Sequence, residues 1–485
     1  MRQNNNPVGY QVPLNLWLGI AGVVVGIVVG FMSGAQPTLI GLAIAAVAIL
    51  VYFFSHFEQA VLGMLVFRSS LDVLSDFQIP AAFAIGLDAL TLLYVTLMLL
   101  TGHRIKTDKF WWFFAAWVAF QGLWVILLPL GGLGLDGSYL SVSLREWVRL
   151  FSWLMVYLLV MQLKDEMTPQ QIIDVLFLSL ILPLTIAVVQ MIVPNGLLPE
   201  FLQAFRGGER INGSLGHPNS FATFLIFFIG ITYWKWSQSK SSNRWRWLIL
   251  LGTLSMFLIT TKTLIGLIMG GILGIFLIFS RITPTKLIGG IVLFAVIIII
   301  FGSTEYGRER LSLFADLPII NPEIDVSRAI LLRFTVVDNS FYWRLEQWTY
   351  LLRAWQESPL FGMGLDTSRY LTHLQNSAHN DYVRALVESG IVGLCGFLTF
   401  MGVLLGRLIY FFKVSPVGSD RRELCLVLIG IEIAILVGMI TENIWSHTVL
   451  FFYWFTVNNT LSWNWEETEG IFRGKAIDNM VHHDT

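Results

Sequence analysis

Leu264-Ile-Gly-Leu-Ile-Met-Gly-Gly-Ile-Leu-Gly-Ile-Phe-Leu-Ile-Phe-Ser280 contains no charged residue and hardly a polar one. Just before it, Leu248-Ile-Leu-Leu-Gly-Thr-Leu-Ser-Met-Phe-Leu-Ile-Thr260 is also uncharged, and only Thr261-Lys-Thr263 separates the two. A helix that is apolar all round must be buried in a large core or in lipid. In lipid every backbone N–H and C=O has to be satisfied within the segment, which leaves the helix. Read this way, the two stretches are consecutive membrane spans joined by a tight turn carrying Lys262.

The rest of the chain repeats the pattern. Of its 485 residues 55% are hydrophobic and 13% charged, and mean hydropathy is +0.69. Soluble domains carry about 25% charged residues. The sequence therefore predicts an all-α integral membrane protein, a polytopic bundle of about fourteen transmembrane helices (12–14) with one large extracytoplasmic helical loop. Candidate spans lie near 13–32, 38–54, 57–70, 80–101, 110–129, 146–162, 170–193, 218–234, 246–260, 264–280, 286–302, 388–412, 423–443 and 446–463. The first is read as a retained helix rather than a cleaved leader. A net charge of −1 gives no basic bias toward nucleic acid. Cys395 and Cys425 sit in apolar stretches and are expected to be core residues without a disulfide.

Lys and Arg in short loops set the orientation. Arg104, Lys106 and Lys109; Lys235, Lys240, Arg244 and Arg246; Arg281 and Lys286; and Lys413, Arg421 and Arg422 all fall on one face of a single alternating topology. That face is expected to be cytoplasmic, with both termini. The chain then divides into amino-terminal spans (1–193), spans with a first cationic loop (194–302), the large extracytoplasmic loop (303–387), carboxy-terminal spans (388–463) and a cytoplasmic tail (464–485). The large loop is not featureless. In Phe341-Tyr-Trp-Arg344-Leu-Glu-Gln-Trp348-Thr-Tyr-Leu-Leu-Arg-Ala-Trp355, Leu345, Trp348, Leu352 and Trp355 recur at helical spacing, which predicts an amphipathic helix. A second helix is expected to start near Asn380.

The outer face gathers the groups able to do chemistry. Arg206-Gly-Gly-Glu-Arg210-Ile-Asn-Gly-Ser-Leu-Gly-His217-Pro-Asn219 combines cations with glycines and a Pro-started helix, an arrangement that suits an anion or, more plainly, a well-capped loop. Lys262 and Arg344 each read either as anion ligands or as interfacial cations whose stems lie along apolar surface. His379, in Asn376-Ser-Ala-His379-Asn380-Asp381-Tyr382, sits where the polar loop returns to the membrane. An imidazole there can accept a proton near neutral pH, or simply help cap the next helix. Asp88, Asp174 and Glu432 interrupt apolar runs but are scattered. Arg145, Glu146 and Arg149 are expected to pair with one another. There is no His-Glu-x-x-His, no Cys-x-x-Cys and no Gly-x-x-x-x-Gly-Lys-Ser/Thr loop, so neither a metal nor a nucleotide cofactor is indicated.

Two motifs resemble those of the O-antigen ligase and polymerase superfamily. One is Arg210-Ile-Asn-Gly-Ser-x-x-His217-Pro-Asn219-x-Phe-Ala. The other is Ser358-Pro-Leu-Phe-Gly362-Met-Gly364, followed by Ala378-His-Asn-Asp-Tyr382 and Glu388-Ser-Gly-Ile-Val-Gly393. The resemblance covers roughly residues 200–410. It implies a glycosyltransferase of the cytoplasmic (inner) membrane, working on its outer face without metal or cofactor, in O-antigen, capsule or exopolysaccharide biosynthesis. The donor it implies is a polyprenyl-diphosphate-linked oligosaccharide, and the acceptor a glycan (a Wzy-type polymerase) or a lipid or protein (a ligase). Carried onto this chain, His379 and Arg344 become catalytic, Arg210, Lys262 and Arg344 bind diphosphate, and His217, Asn219, Asn380 and Glu388 support them. Lys262 departs from the arginine more common in similar proteins, keeping the charge but losing the bidentate fork. A polysaccharide or lipid-glycan flippase is the competing class, favoured by Asp88 and Glu432, and a purely structural protein is a third.

Overall fold

The computed structural model describes residues 37–130, 137–208, 210–279, a few positions between 292 and 308, and 340–465. The span expected near 13–32, most of that near 286–302, Arg281 and Lys286, the large loop from 309 to 339 and the tail beyond 465 lie outside the described residues. Among the described residues every regular element is helical, and the one extended pairing is an isolated bridge between Phe205 and Arg210.

The described chain divides into two compact units between Met64 and Leu65. Helix α1 (Pro37–Ser55) and most of α2 (Phe57–Phe67) form the first, and the chain turns through 118° between them. The second unit holds α3 (Ile79–Leu100), α4 (Lys109–Leu130), α5 (Leu140–Met161), α6 (Pro169–Leu176), α7 (Ile181–Ile192), α8 (Pro218–Gln238), α9 (Arg244–Thr260) and α10 (Leu264–Phe279). After the large loop begins, it continues with α11 (Ser340–Trp355), α12 (Asp381–Val414), α13 (Asp420–Gly438) and α14 (Thr448–Thr460).

Among the described residues, four helices are long and apolar enough to cross a membrane: Ile79–Leu100, Lys109–Leu127, Pro169–Ile192 and Asp381–Val414. The bent pair α1–α2 makes a fifth if it counts as one broken span. The other helices are shorter or more polar. Within α5, for instance, Arg149 pairs with Glu146, the pairing expected from sequence. Cys425 is buried, whereas Cys395 is exposed on α12, so only one of the two is a core residue.

The span expected near 170–193 is interrupted, for a local reason. Pro183 has no N–H and its ring crowds the carbonyl four residues earlier. The chain answers with a 3₁₀ stretch, Phe177–Leu180, between α6 and α7. The orphaned Ser179 carbonyl accepts the Ser69 hydroxyl at 2.7 Å, and Ser69 in turn donates its N–H to the Tyr453 hydroxyl.

The second glycine-rich motif turns out to be a backbone clasp. α12 breaks at Gly390, whose φ is +68°. The segment 359–364 lies directly against that break. Met363 N donates to Val387 O, Gly364 N to Glu388 O, Ile391 N to Pro359 O and Val392 N to Leu360 O, at 2.8–3.2 Å. A Cβ on Gly390 would stand 2.2 Å from Leu360 O, and one on Gly362 (φ +71°) would stand 2.5 Å from Glu388 C. Both obstacles are backbone atoms, which cannot swing aside. The clasp holds residues 359–364 against the break inside α12.

Deeper in the bundle, Trp445 sits edge-on to Trp117, Trp153 and Phe397, with ring centroids 5.0–5.8 Å apart. Such pairs contribute beyond their buried area. They moor the turn between α13 and α14.

Gly390→Ala is expected to destabilise the folded protein by more than about 2 kcal/mol, combining a left-handed backbone strained by a Cβ with a backbone clash. Thermal unfolding in detergent, compared with Gly402→Ala on the same helix where nothing lies within 4 Å, checks this.

Candidate active site

Four stretches distant in sequence meet around one carboxylate. α8 starts where the sequence places Pro218, with His217 as its N-cap: the His217 Nδ1 accepts the Asn219 N–H at 3.1 Å. α9 ends at Thr260 and α10 begins at Leu264, leaving the expected tight turn with Lys262 at φ +50°. α12 begins at Asp381, capped by the Asn380 side chain, which accepts the N–H groups of Tyr382 and Val383 at 3.0 Å. His379, just before that cap, is held at φ +49°. The fourth stretch is the turn 439–447. The sequence suggests a span reaching 443, but α13 stops at Gly438 and releases Glu442 into the turn.

Glu442 is 3% exposed and organises the others. Its Oε1 lies 3.1 Å from His379 Nδ1 and also accepts the Asn443 N–H. Its Oε2 accepts the Asn219 side-chain amide. Asn219 Oδ1 accepts from Arg210 Nη2 at 3.1 Å, and Arg210 Nε donates to Thr261 O, the residue before Lys262. Since Asn219 donates on one side and accepts on the other, its amide orientation is fixed. Burial alone would raise the Glu442 carboxyl. The hydrogen bond and charge of His379, with the nearby His447 and Arg344, outweigh it and hold Glu442 well below the usual carboxylate range. An ionised Glu442 can only accept, so His379 Nδ1 carries the proton and donates. About 20% of the His379 side chain remains exposed.

Aromatic rings shape the surroundings. Trp343, next to Arg344 on α11, stands edge-on to His379 at 5.4 Å. Phe205 contacts both the His217 ring and the Arg210 guanidinium. His447 Nδ1 meets the Thr223 hydroxyl at 2.9 Å, one turn along α8 from Asn219. Burial, first of all, lowers His447 to about 4, with Glu442 opposing and His217, Arg149 and His379 assisting.

The structure thus brings Arg210, His217, Asn219 and His379 into one connected set, with Arg344 close enough to act on Glu442 and Lys262 beside the Thr261 carbonyl that Arg210 holds. Asn380 acts as a helix cap. Glu388 is engaged elsewhere. Its carboxylate accepts from Arg384, from the Ser368 hydroxyl and from the Asp366 N–H. Arg384, 4% exposed, also reaches Glu146 of α5, Asp366 and the Ser446 hydroxyl. The sequence did not single out Glu442, His447 or Arg384. The polar pair Glu442-Asn443 between two apolar runs was the available signal for the first.

The acids that interrupt apolar runs do not form a path. Asp88 accepts from Ser152 at 2.7 Å, Asp174 pairs with Lys235 on the surface, and Glu432 lies buried on α13.

Comparison with curated proteins gives no match. Residues 247–398, however, match the family model described as O-Antigen ligase. That segment contains Lys262, Arg344, His379 and the clasp motif, while the motif starting at Arg210 precedes it. The match supports the resemblance to the O-antigen ligase/polymerase superfamily over that segment.

Proposed function

We propose that this protein is an inner-membrane glycosyltransferase that moves an oligosaccharide from a polyprenyl-diphosphate carrier to the hydroxyl of another glycan, on the outer face of the membrane. In this reading the bundle has twelve to fourteen spans, both termini are cytoplasmic, and the loop bearing Arg344 and His379 is extracytoplasmic. The observation that carries the proposal is the Glu442–His379 pair set among Arg210, Arg344 and Lys262.

The chemistry needs little more. The acceptor O–H gives its proton to His379 Nε2 as its oxygen bonds to the anomeric carbon. The bond from that carbon to the diphosphate oxygen breaks, and the electron pair leaves with the diphosphate. Arg210, Lys262 and Arg344 compensate the charge that grows on the leaving group. Glu442 holds the imidazole in the Nδ1–H form and stabilises the imidazolium, as a buried carboxylate does in other acid–base pairs. Direct displacement inverts the anomeric centre. The donor's diphosphate is already an activated leaving group, so nucleotide has no part in the step.

The match to a model described as O-Antigen ligase favours a second reading, with a lipid or protein as acceptor. The same residues serve either case.

The test is purified protein in lipid with a polyprenyl-diphosphate oligosaccharide and chelator, the products followed by gel and mass. Elongated carrier-linked glycan supports the polymerase, transfer to lipid or protein supports the ligase, and translocation without transfer overturns both. His379→Ala is expected to lower the transfer rate by about 10²- to 10⁴-fold. Glu442→Gln is expected to lower kcat by a similar factor with little change in KM. Unchanged rates in both would remove the acid–base assignment.

Acid should loosen the site in a defined order. His447 has a folded-state value near 4, below its ordinary 6.5. A depressed value means stability that is fully present above 6.5 and lost as pH falls toward about 4. The midpoint of thermal unfolding in detergent is expected to drop across that window, and His447→Asn should flatten this part of the profile.

A further inference from the structure

We propose that Asp381 is a positioning residue that holds Glu442 at its working distance from His379. The inference rests on the reading of His379 as the base. His379-Asn380-Asp381 lies against Glu442-Asn443-Ile444-Trp445, and two hydrogen bonds close these stretches into a ring. At one end His379 Nδ1 meets Glu442 Oε1 at 3.1 Å. At the other the Trp445 N–H donates to Asp381 Oδ2 at 2.8 Å. A third bond, Asp381 N to Met439 O at 2.8 Å, ties the same residue to the start of the turn. Asp381 therefore grips the turn on both sides of Glu442, two residues from His379.

The surroundings make that grip effective. Asp381 is 2% exposed, so water does not compete for its carboxylate. The ring of Trp445 is locked among Trp117, Trp153 and Phe397. Arg384, one turn further along α12, holds the next residue of the turn through the Ser446 hydroxyl at 2.7 Å. With the Asp381 carboxylate removed the turn keeps its aromatic anchor, the Arg384 tether and the backbone bond to Met439 O, but loses the bond to the Trp445 N–H that closes the ring around Glu442. A displacement on the order of 1 Å at a reacting group costs about 100-fold in rate, so a small slip of Glu442 would suffice.

The experiment is a double-mutant cycle with Asp381→Ala and Glu442→Gln, reading kcat and KM of glycan transfer. Asp381→Ala alone is expected to lower kcat by roughly 10- to 100-fold, with KM within about threefold. In the Glu442→Gln background it should lower kcat less than about threefold, because the group it positions is already disabled. Asp381→Asn keeps an oxygen able to accept from the Trp445 N–H and should retain near-wild-type kcat. Equal, multiplicative losses in both backgrounds would overturn the proposal while leaving the His379 reading intact. Full activity in His379→Ala would overturn both. If Asp381→Ala does not fold, Asp381→Asn decides alone: near-wild-type kcat supports positioning, and a loss of tenfold or more in folded protein overturns it.

Discussion

The interaction on which this architecture leans is the buried guanidinium of Arg384. A charge removed from water is tolerated only when its donors are answered by well-placed partners. Arg384 finds them on four parts of the chain: Glu146 on α5, Asp366 in the large loop, Glu388 on its own helix and Ser446 in the turn before α14. Glu146 is 238 positions away in sequence. Around it the account is completed by Arg149 on Glu146 and Arg369 on Asp366. Burial alone would raise the Asp366 carboxyl, but Arg384 and Arg369 hold it below its ordinary range. Because removing one member would strand its partners without compensation, the elements are bound to one arrangement rather than merely packed.

That constraint separates two kinds of residue within the motifs. The glycines of 362 and 390 serve a backbone clasp: each occupies a left-handed conformation where a Cβ would strike main-chain atoms. Glu388 belongs to the charge network, bonded to Arg384, Ser368 and the Asp366 N–H. The residues the proposed function uses are those that converge on Glu442. They reach it by a different logic, a chain of directed hydrogen bonds running Thr261 carbonyl, Arg210, Asn219, Glu442, His379. The first system ties separate elements together, and the second orients the imidazole of His379.

Much of this was legible in the sequence and some of it was not, for reasons that are physical. Apolar runs and cap signals gave the helix α11, the start of α8 at Pro218, the start of α12 after Asn380 and the turn at Lys262. They did not show the 3₁₀ stretch ahead of Pro183, because the run 170–193 is continuous in composition and reads as one span. Arg210, His217, Asn219 and His379 stood out as polar groups clustered at the ends of apolar segments. Glu442 did not, because it falls at the end of the run read as a span to 443 and only the folded chain shows that the helix has already ended at Gly438. Glu146 was legible as a local partner of Arg149, but nothing in the sequence joins it to Arg384, 238 positions away. Their partnership exists only after the bundle closes.

The two systems meet at the turn 439–447, and that meeting explains the burial of so short a segment. Its Trp445 is set in the aromatic core, its Ser446 is tied to the charge network through Arg384, and its Glu442 orients the imidazole. A carboxylate that must hold an imidazole by one hydrogen bond needs a mount that does not move with solvent or with the large loop. A turn between two helices supplies this only when its backbone is fixed at several points, and here it is fixed at Met439, Trp445 and Ser446. Arg344 and Trp343 come instead from α11 in the large loop. Under the proposed function, the orienting carboxylate then belongs to a turn fixed within the helix bundle, while one of the diphosphate ligands, Arg344, comes from α11, so the acid–base pair and part of the charge compensation are supplied by separately held parts of the chain.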